Sequence, residues 1–172
     1  EYCADCRSRK RGFCQGRGVF LYNMQMKQSL LRYKYYGSRE YGWYYAEEIC
    51  RYVGTQIKRW NPDILVPVPM TCRKKRIRGF NQAEDLAEKI GELLQIPVAA
   101  GLAVKKRETK SQKKLNAAER MRNLKDAFQI TESVRGLRIL IVDDVYTTGS
   151  TIETLAECLK ESGAGEIYFV TL

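Results

Sequence analysis

Between Ile139 and Thr151 the chain reads ILIVDDVYTTGST. Four apolar, mostly β-branched residues, Ile139, Leu140, Ile141 and Val142, run without polar alternation into two adjacent acids, Asp143 and Asp144. Such a run suits a strand covered on both faces, the environment of a parallel sheet. Parallel strands cannot be joined by hairpins and need crossovers, usually helical. Here a hydroxyl- and glycine-rich turn, Thr147-Thr148-Gly149-Ser150-Thr151, leads into a helix expected over Ser150 to Glu161. This segment commits the chain to an α/β fold with an open, mainly parallel sheet flanked by helices.

The rest of the pattern is consistent with that commitment. Asp63 to Pro69 (DILVPVP) reads as a second buried strand, and Glu166 to Leu172 as a third. Helices are expected over Met24 to Tyr36, Tyr44 to Trp60 and Asn81 to Gln95. Asn61-Pro62 stops the second of these, and Asn81 with Glu84 makes a capping-box-like start to the third. Val19 to Tyr22, Val98 to Val104 and Phe128 to Thr131 read as shorter strands. Lys105 to Lys125 is mostly charged and reads as a long functional loop, with a surface helix over Leu115 to Arg122 as the competing reading. At 172 residues the chain is long enough for one full domain.

Ligands of open α/β sheets bind beyond the carboxyl ends of the strands, which is where the acid pair and the hydroxyl run fall. Hydroxyls, a glycine and free N–H groups at a helix start suit a phosphate monoester. Two carboxylates repel phosphate but suit ribose hydroxyls or a metal-bound water, so a sugar phosphate satisfies both halves. An ordinary capped turn accounts for one Thr and the Gly, but not for two acids plus four hydroxyls in this order. A P-loop is excluded, since G-x-x-x-x-G-K-[ST] is absent. With no histidine in the chain, Ser-His-Asp triads and histidine-based metal catalysis are excluded too.

Net charge is +10 and unevenly spread: +7 over residues 1–60, +9 over 73–125 and −5 over 126–172. A basic front and middle with an acidic final third is what a polyanion-binding face beside a carboxylate-bearing site would give. Arg73, Lys74, Lys75, Arg76 and Arg78 form a dense cluster directly after the second strand, and arginine suits bidentate contacts with pyrophosphate. No apolar run approaches the roughly 20 residues a membrane helix needs, and the first residues do not resemble a signal peptide, so no membrane insertion and a cytoplasmic location are expected. Six cysteines without a disulfide-permissive context are expected to be reduced.

Taken together, Val66 to Pro69 (VPVP), Arg78 to Gln82 (RGFNQ), Arg107-Thr109-Gln112, Glu119-Arg120 with Asn123, Ala127-Phe128 and Val142 to Thr151 resemble the ComF (competence protein F) branch of the type I phosphoribosyltransferases. The similarity runs from about residue 19 to the end. It implies a type I phosphoribosyltransferase fold, with residues 18–172 as the domain (18–60 its hood and N-terminal part, 61–172 its core). It implies phosphoribosyl pyrophosphate (PRPP), or a related ribose 5-phosphate compound, as ligand. Asp143 and Asp144 would hold the ribose hydroxyls, directly or through Mg2+, and act catalytically if the chain is an enzyme. Thr147, Thr148, Gly149, Ser150 and Thr151 would bind the 5′-phosphate. Arg73 and Arg76 would face the pyrophosphate, and the 105–122 segment with Arg107 would form a flexible hood.

ComF proteins also carry a four-cysteine zinc finger upstream. Cys3 and Cys6 have the spacing of half a tetrahedral site, so residues 1–17 are expected to be the remnant of that finger, binding Zn2+ in the intact protein. Its other ligands would be an upstream pair, or Cys14 and a distant thiol. The branch is associated with natural transformation, which implies DNA uptake, single-stranded DNA as a second ligand and helicase-like competence proteins as partners. The interleaving of Tyr33, Lys34, Tyr35, Tyr36, Arg39, Tyr41, Trp43, Tyr44 and Tyr45 fits base stacking with phosphate neutralisation, and it also fits core packing. The alternatives are a metabolic phosphoribosyltransferase acting on a nitrogenous base, or a PRPP-sensing regulator.

Overall fold

The computed structural model describes residues 11–35, 39–106 and 127–172. Its elements are β1 (Gln15–Gly18), α1 (Met24–Tyr35), α2 (Glu40–Trp60), β2 (Ile64–Pro67), α3 (Cys72–Arg78), α4 (Gln82–Leu94), β3 (Ala103–Lys105), β4 (Phe128–Ile130), β5 (Ile139–Asp143), α5 (Ser150–Glu161) and β6 (Ile167–Thr171). Four strands form one sheet in the order β1-β6-β5-β2, and every pairing in it is parallel. Ile64 to Pro67 stand opposite Ile139 to Val142, so the two apolar runs end at the same edge of the sheet.

The strands are apolar throughout because both faces are covered. Ile139 and Ile141 of β5 and Val66 of β2 point into a core shared with Ile152 and Leu155 of α5. Leu140 and Val142 of β5 and Leu65 of β2 point the other way, into a core with Tyr33 of α1, Ile49 of α2 and Leu86 of α4. This period-2 division of one apolar run places each central strand between two helical layers. At the opposite edge of the sheet, Asp63 fixes the entry of β2: its carboxylate accepts from the Arg138 N–H at 2.7 Å.

The helices over 24–35, 82–94 and 150–161 fall where their periodicity places them. Asn61 ends α2 in the left-handed conformation, its N–H returning to the Ile57 and Lys58 carbonyls. Four expectations change. The first strand lies at Gln15–Gly18, not Val19 to Tyr22, because these residues pair in register with Tyr168 to Thr171 of β6, with Val19 adding one bond to the Thr171 carbonyl. Gly16 permits that register, since a Cβ there would lie 1.9 Å from the Phe169 ring. Val98 makes only a single parallel bridge to Leu65, and the strand that follows, Ala103–Lys105, pairs antiparallel with β4 in a separate ribbon. The basic cluster, for which no helix or strand is expected, is carried on a helix, α3. Glu84 does not close a capping box but pairs with Lys75 at 2.8 Å. No described helix is long and apolar enough to cross a membrane.

Candidate functional site

The acid pair stands where β5 leaves the sheet. The Asp144 N–H donates to Asp143 Oδ1 at 2.8 Å, fixing the Asp143 carboxylate against the start of the loop. Burial at the end of β5, together with the neighbouring Asp144 charge, pushes the Asp143 carboxyl up to about 8, against the opposing pull of the Asp144 N–H, Lys34 and Lys105. Asp144 is held by a cation from the other end of the chain: Lys34 Nζ of α1 lies 2.5 Å from Asp144 Oδ2.

After the acids, the chain turns into α5 around Gly149. This residue has φ +72°, and a Cβ on it would meet the Tyr146 hydroxyl at 2.3 Å. Tyr146 is fixed from beneath, stacked on Phe169 with 5.2 Å between ring centroids and 6° between planes. Only glycine combines this backbone conformation with so close an aromatic ring. The hydroxyls of Thr148 and Ser150 lie 3.0 Å apart, and the Ser150 N–H donates to Thr148 Oγ1 at 3.4 Å. Thr147, Gly149, Ser150 and Thr151 rim a niche of about 20 Å3 at the start of α5, with Asp143 on its border. The positive end of a twelve-residue helix faces that niche.

A larger cleft of about 290 Å3 opens between the acids and a basic wall. Asp143, Asp144, Thr147 and Thr151 form one side; Lys74 and Arg78 of α3, Lys105 of β3 and Lys34 of α1 supply the cations. Thr71 starts α3, its hydroxyl accepting from the Lys74 N–H at 3.4 Å. Arg73 and Arg76 sit on the same helix but are exposed and do not line the cleft; a helix turns 100° per residue, so Lys74 and Arg78, four apart, share the inward face instead. Arg78 is oriented by Gln82 Oε1, which accepts from its guanidinium at 3.1 Å. Asn81 ties the wall to the sheet: its Oδ1 accepts from the Ala83 N–H at 3.2 Å, and its Nδ2 donates to the Val68 carbonyl at 3.0 Å.

Cys3, Cys6 and Arg107, with most of the 105–122 segment, lie outside the described residues. Among the described residues, no group of three or more His, Cys, Asp and Glu is placed to hold a metal ion. Two carboxylates at a polar cleft suit Mg2+, which usually keeps several waters and completes its shell with substrate phosphate oxygens. Local pattern in the sequence identifies the acid pair, the hydroxyl run and the basic cluster. It does not identify Lys34 as a cleft residue, because nothing near Lys34 signals a contact 110 positions away.

The chain is similar in sequence to known proteins. Residues 46–172 fit the phosphoribosyl transferase domain model. Competence protein ComFC of Bacillus subtilis is 34% identical over 172 residues, spanning 94% of this chain and 67% of that protein. DNA utilization protein YhgH of Salmonella typhi is 40% identical over 106 residues, spanning 62% of this chain and 47% of that protein. The chain thus spans about half the length of several curated relatives it matches. Among solved structures, a purine phosphoribosyltransferase from Pyrococcus horikoshii aligns at a TM-score of 0.44 with 19% identity, over 90% of this chain and 76% of that one. With a parallel sheet flanked by helices and an acid-pair, hydroxyl and glycine loop at its carboxyl edge, the chain belongs to the phosphoribosyl transferase domain family, in its ComF branch.

Proposed function

We propose that this chain is a ComF-type competence protein that binds PRPP with Mg2+ in the 290 Å3 cleft and handles single-stranded DNA during natural transformation, in the cytoplasm and alongside helicase-like competence proteins. One observation carries the ligand: the acid pair and the hydroxyl niche share a cleft with Lys74, Arg78 and Lys105, so a single molecule must offer hydroxyls, a phosphate and further negative charge. PRPP offers all three. In this reading Asp143 and Asp144 hold the ribose hydroxyls, directly or through Mg2+, and residues 147–151 hold the 5′-phosphate. Lys74, Arg78 and Lys105 meet the pyrophosphate, with Arg73 and Arg76 adding longer-range attraction and the segment that bears Arg107 serving as the hood over the site. Mg2+ would neutralise part of the pyrophosphate charge. Residues 18–172 form the working domain, and Cys3 and Cys6 supply half of a Zn2+ finger.

The DNA half rests on the ComFC and YhgH relatives, whose names concern competence and DNA utilization, and on surface chemistry. Tyr33 and Tyr45 are core residues, but Tyr35, Trp43, Tyr44 and Tyr52 are exposed. The Arg78 and Arg51 guanidiniums lie 5.1 and 4.3 Å from the Tyr35 and Tyr52 ring centroids. Exposed aromatics flanked by arginine stack bases while neutralising phosphates. The test is a titration of PRPP–Mg2+ and of single-stranded DNA against wild type and the double variant Asp143→Ala, Asp144→Ala. PRPP binding should be lost and DNA binding kept; unchanged PRPP binding would remove the site assignment.

A further inference from the structure

The cation on Asp144 is held in place by its neighbours in the sequence. Tyr33, fully buried, donates its hydroxyl to Asp85 Oδ2 at 2.7 Å, and Asp85 is paired with Lys89 at 2.6 Å. Tyr35 accepts at its hydroxyl from the Arg78 guanidinium at 3.1 Å. The last turn of α1 is thus anchored on α4 by Tyr33 and on the basic wall by Tyr35. Lys34, between them, reaches Asp144 with 19% of its side chain exposed, against 17% for its partner. A lysine stem is ordinarily flexible; here both flanking residues restrict it.

We propose that Lys34 is a built-in counter-cation of the acid pair: it occupies Asp144 until a ligand bearing both a cation and phosphates displaces it, and its ammonium then pairs with those phosphates. The proposal deepens the PRPP reading and rests on it for the ligand. Lys34 and a divalent ion compete for the same carboxylate oxygen and repel one another at that distance. A bare divalent ion that evicts Lys34 leaves the ammonium in a cleft already holding Lys74, Arg78 and Lys105. A ligand carrying a diphosphate supplies that ammonium with a new partner. The site therefore rejects the free cation and accepts the cation–diphosphate pair.

Two titrations on wild type, Lys34→Met and Lys34→Arg test this: Mn2+ alone followed by electron paramagnetic resonance, and PRPP with Mg2+ followed by calorimetry. Lys34→Met should bind Mn2+ about tenfold more tightly and PRPP about tenfold more weakly, the scale of one partly buried ion pair. Lys34→Arg, which keeps the charge, should stay near wild type in both. Equal Mn2+ affinity in all three proteins would overturn the proposal. So would a fall in both affinities in Lys34→Met, the pattern of a purely structural residue. A wild type that binds no PRPP, beside a Lys34→Met variant that gains Mn2+, would defeat the PRPP reading and leave Lys34 as the counter-cation.

Discussion

Asp143 concentrates the residue-scale physics of the site. Its carboxyl is raised to about 8 by burial and by Asp144, so the ligand-free fold favours the protonated form more than the unfolded chain does. For an acid raised in the folded state, this contribution to stability is full below the unfolded value, near 4, and is lost as pH rises through about 8. Urea midpoints of the ligand-free protein should therefore fall between pH 5 and pH 8.5, and Asp143→Asn should flatten that fall. Identical pH profiles for the two proteins would reject this account. Gly149 shows the complementary case, in which backbone rather than charge fixes the residue: its φ of +72° and the Tyr146 hydroxyl beneath it leave no room for a side chain.

At the scale of elements, the instructive one is α3. Its seven residues, CRKKRIR, contain a single large apolar side chain, and none of the seven is buried, so no hydrophobic period marks it as a helix. Its signals are at its ends, Thr71 as a cap and Gly79 at the stop. The same logic of ends applies to α4, whose cap residue Asn81 does two jobs, accepting from Ala83 and donating to Val68. Asn81→Ala should cost about 1–2 kcal/mol in urea unfolding, since a buried cap and a carbonyl partner are lost together. Asn81→Asp keeps the acceptor but not the donor, so it should retain the cap and still loosen the β2–α3 connection. A lowered PRPP affinity is the expected result in Asn81→Asp, together with a stability cost, since a buried carboxylate oxygen then faces the Val68 carbonyl; an unchanged affinity would show that the Val68 tether does not shape the cleft.

For the whole molecule, the charge is segregated along the chain, and the fold brings the segregated parts together at one cleft. The acidic final third supplies Asp143 and Asp144, while the basic middle supplies Lys74, Arg78 and Lys105 and the basic front supplies Lys34. If the remaining positive surface takes single-stranded DNA, raising salt from about 50 to about 200 mM should weaken that binding by about tenfold or more, through loss of counter-ion release, and PRPP binding less. DNA affinity that does not respond to salt would argue against a polyanion-binding face. The local pattern of the sequence by itself determined the buried strands at 64–67, 139–143 and 167–171, the helices at 82–94 and 150–161, and the acid–hydroxyl–glycine loop, because each rests on periodicity or turn chemistry within a dozen residues. The tertiary structure decided what depends on distant partners. It placed β1 at Gln15–Gly18 by pairing it in register with Tyr168 to Thr171 of β6, turned Lys74 and Arg78 rather than Arg73 and Arg76 to the cleft, sorted Tyr33 into the core and Tyr35 to its surface, and set Lys34 on Asp144. No local pattern encodes such contacts; they exist only once the sheet and its two helical layers have closed around each other.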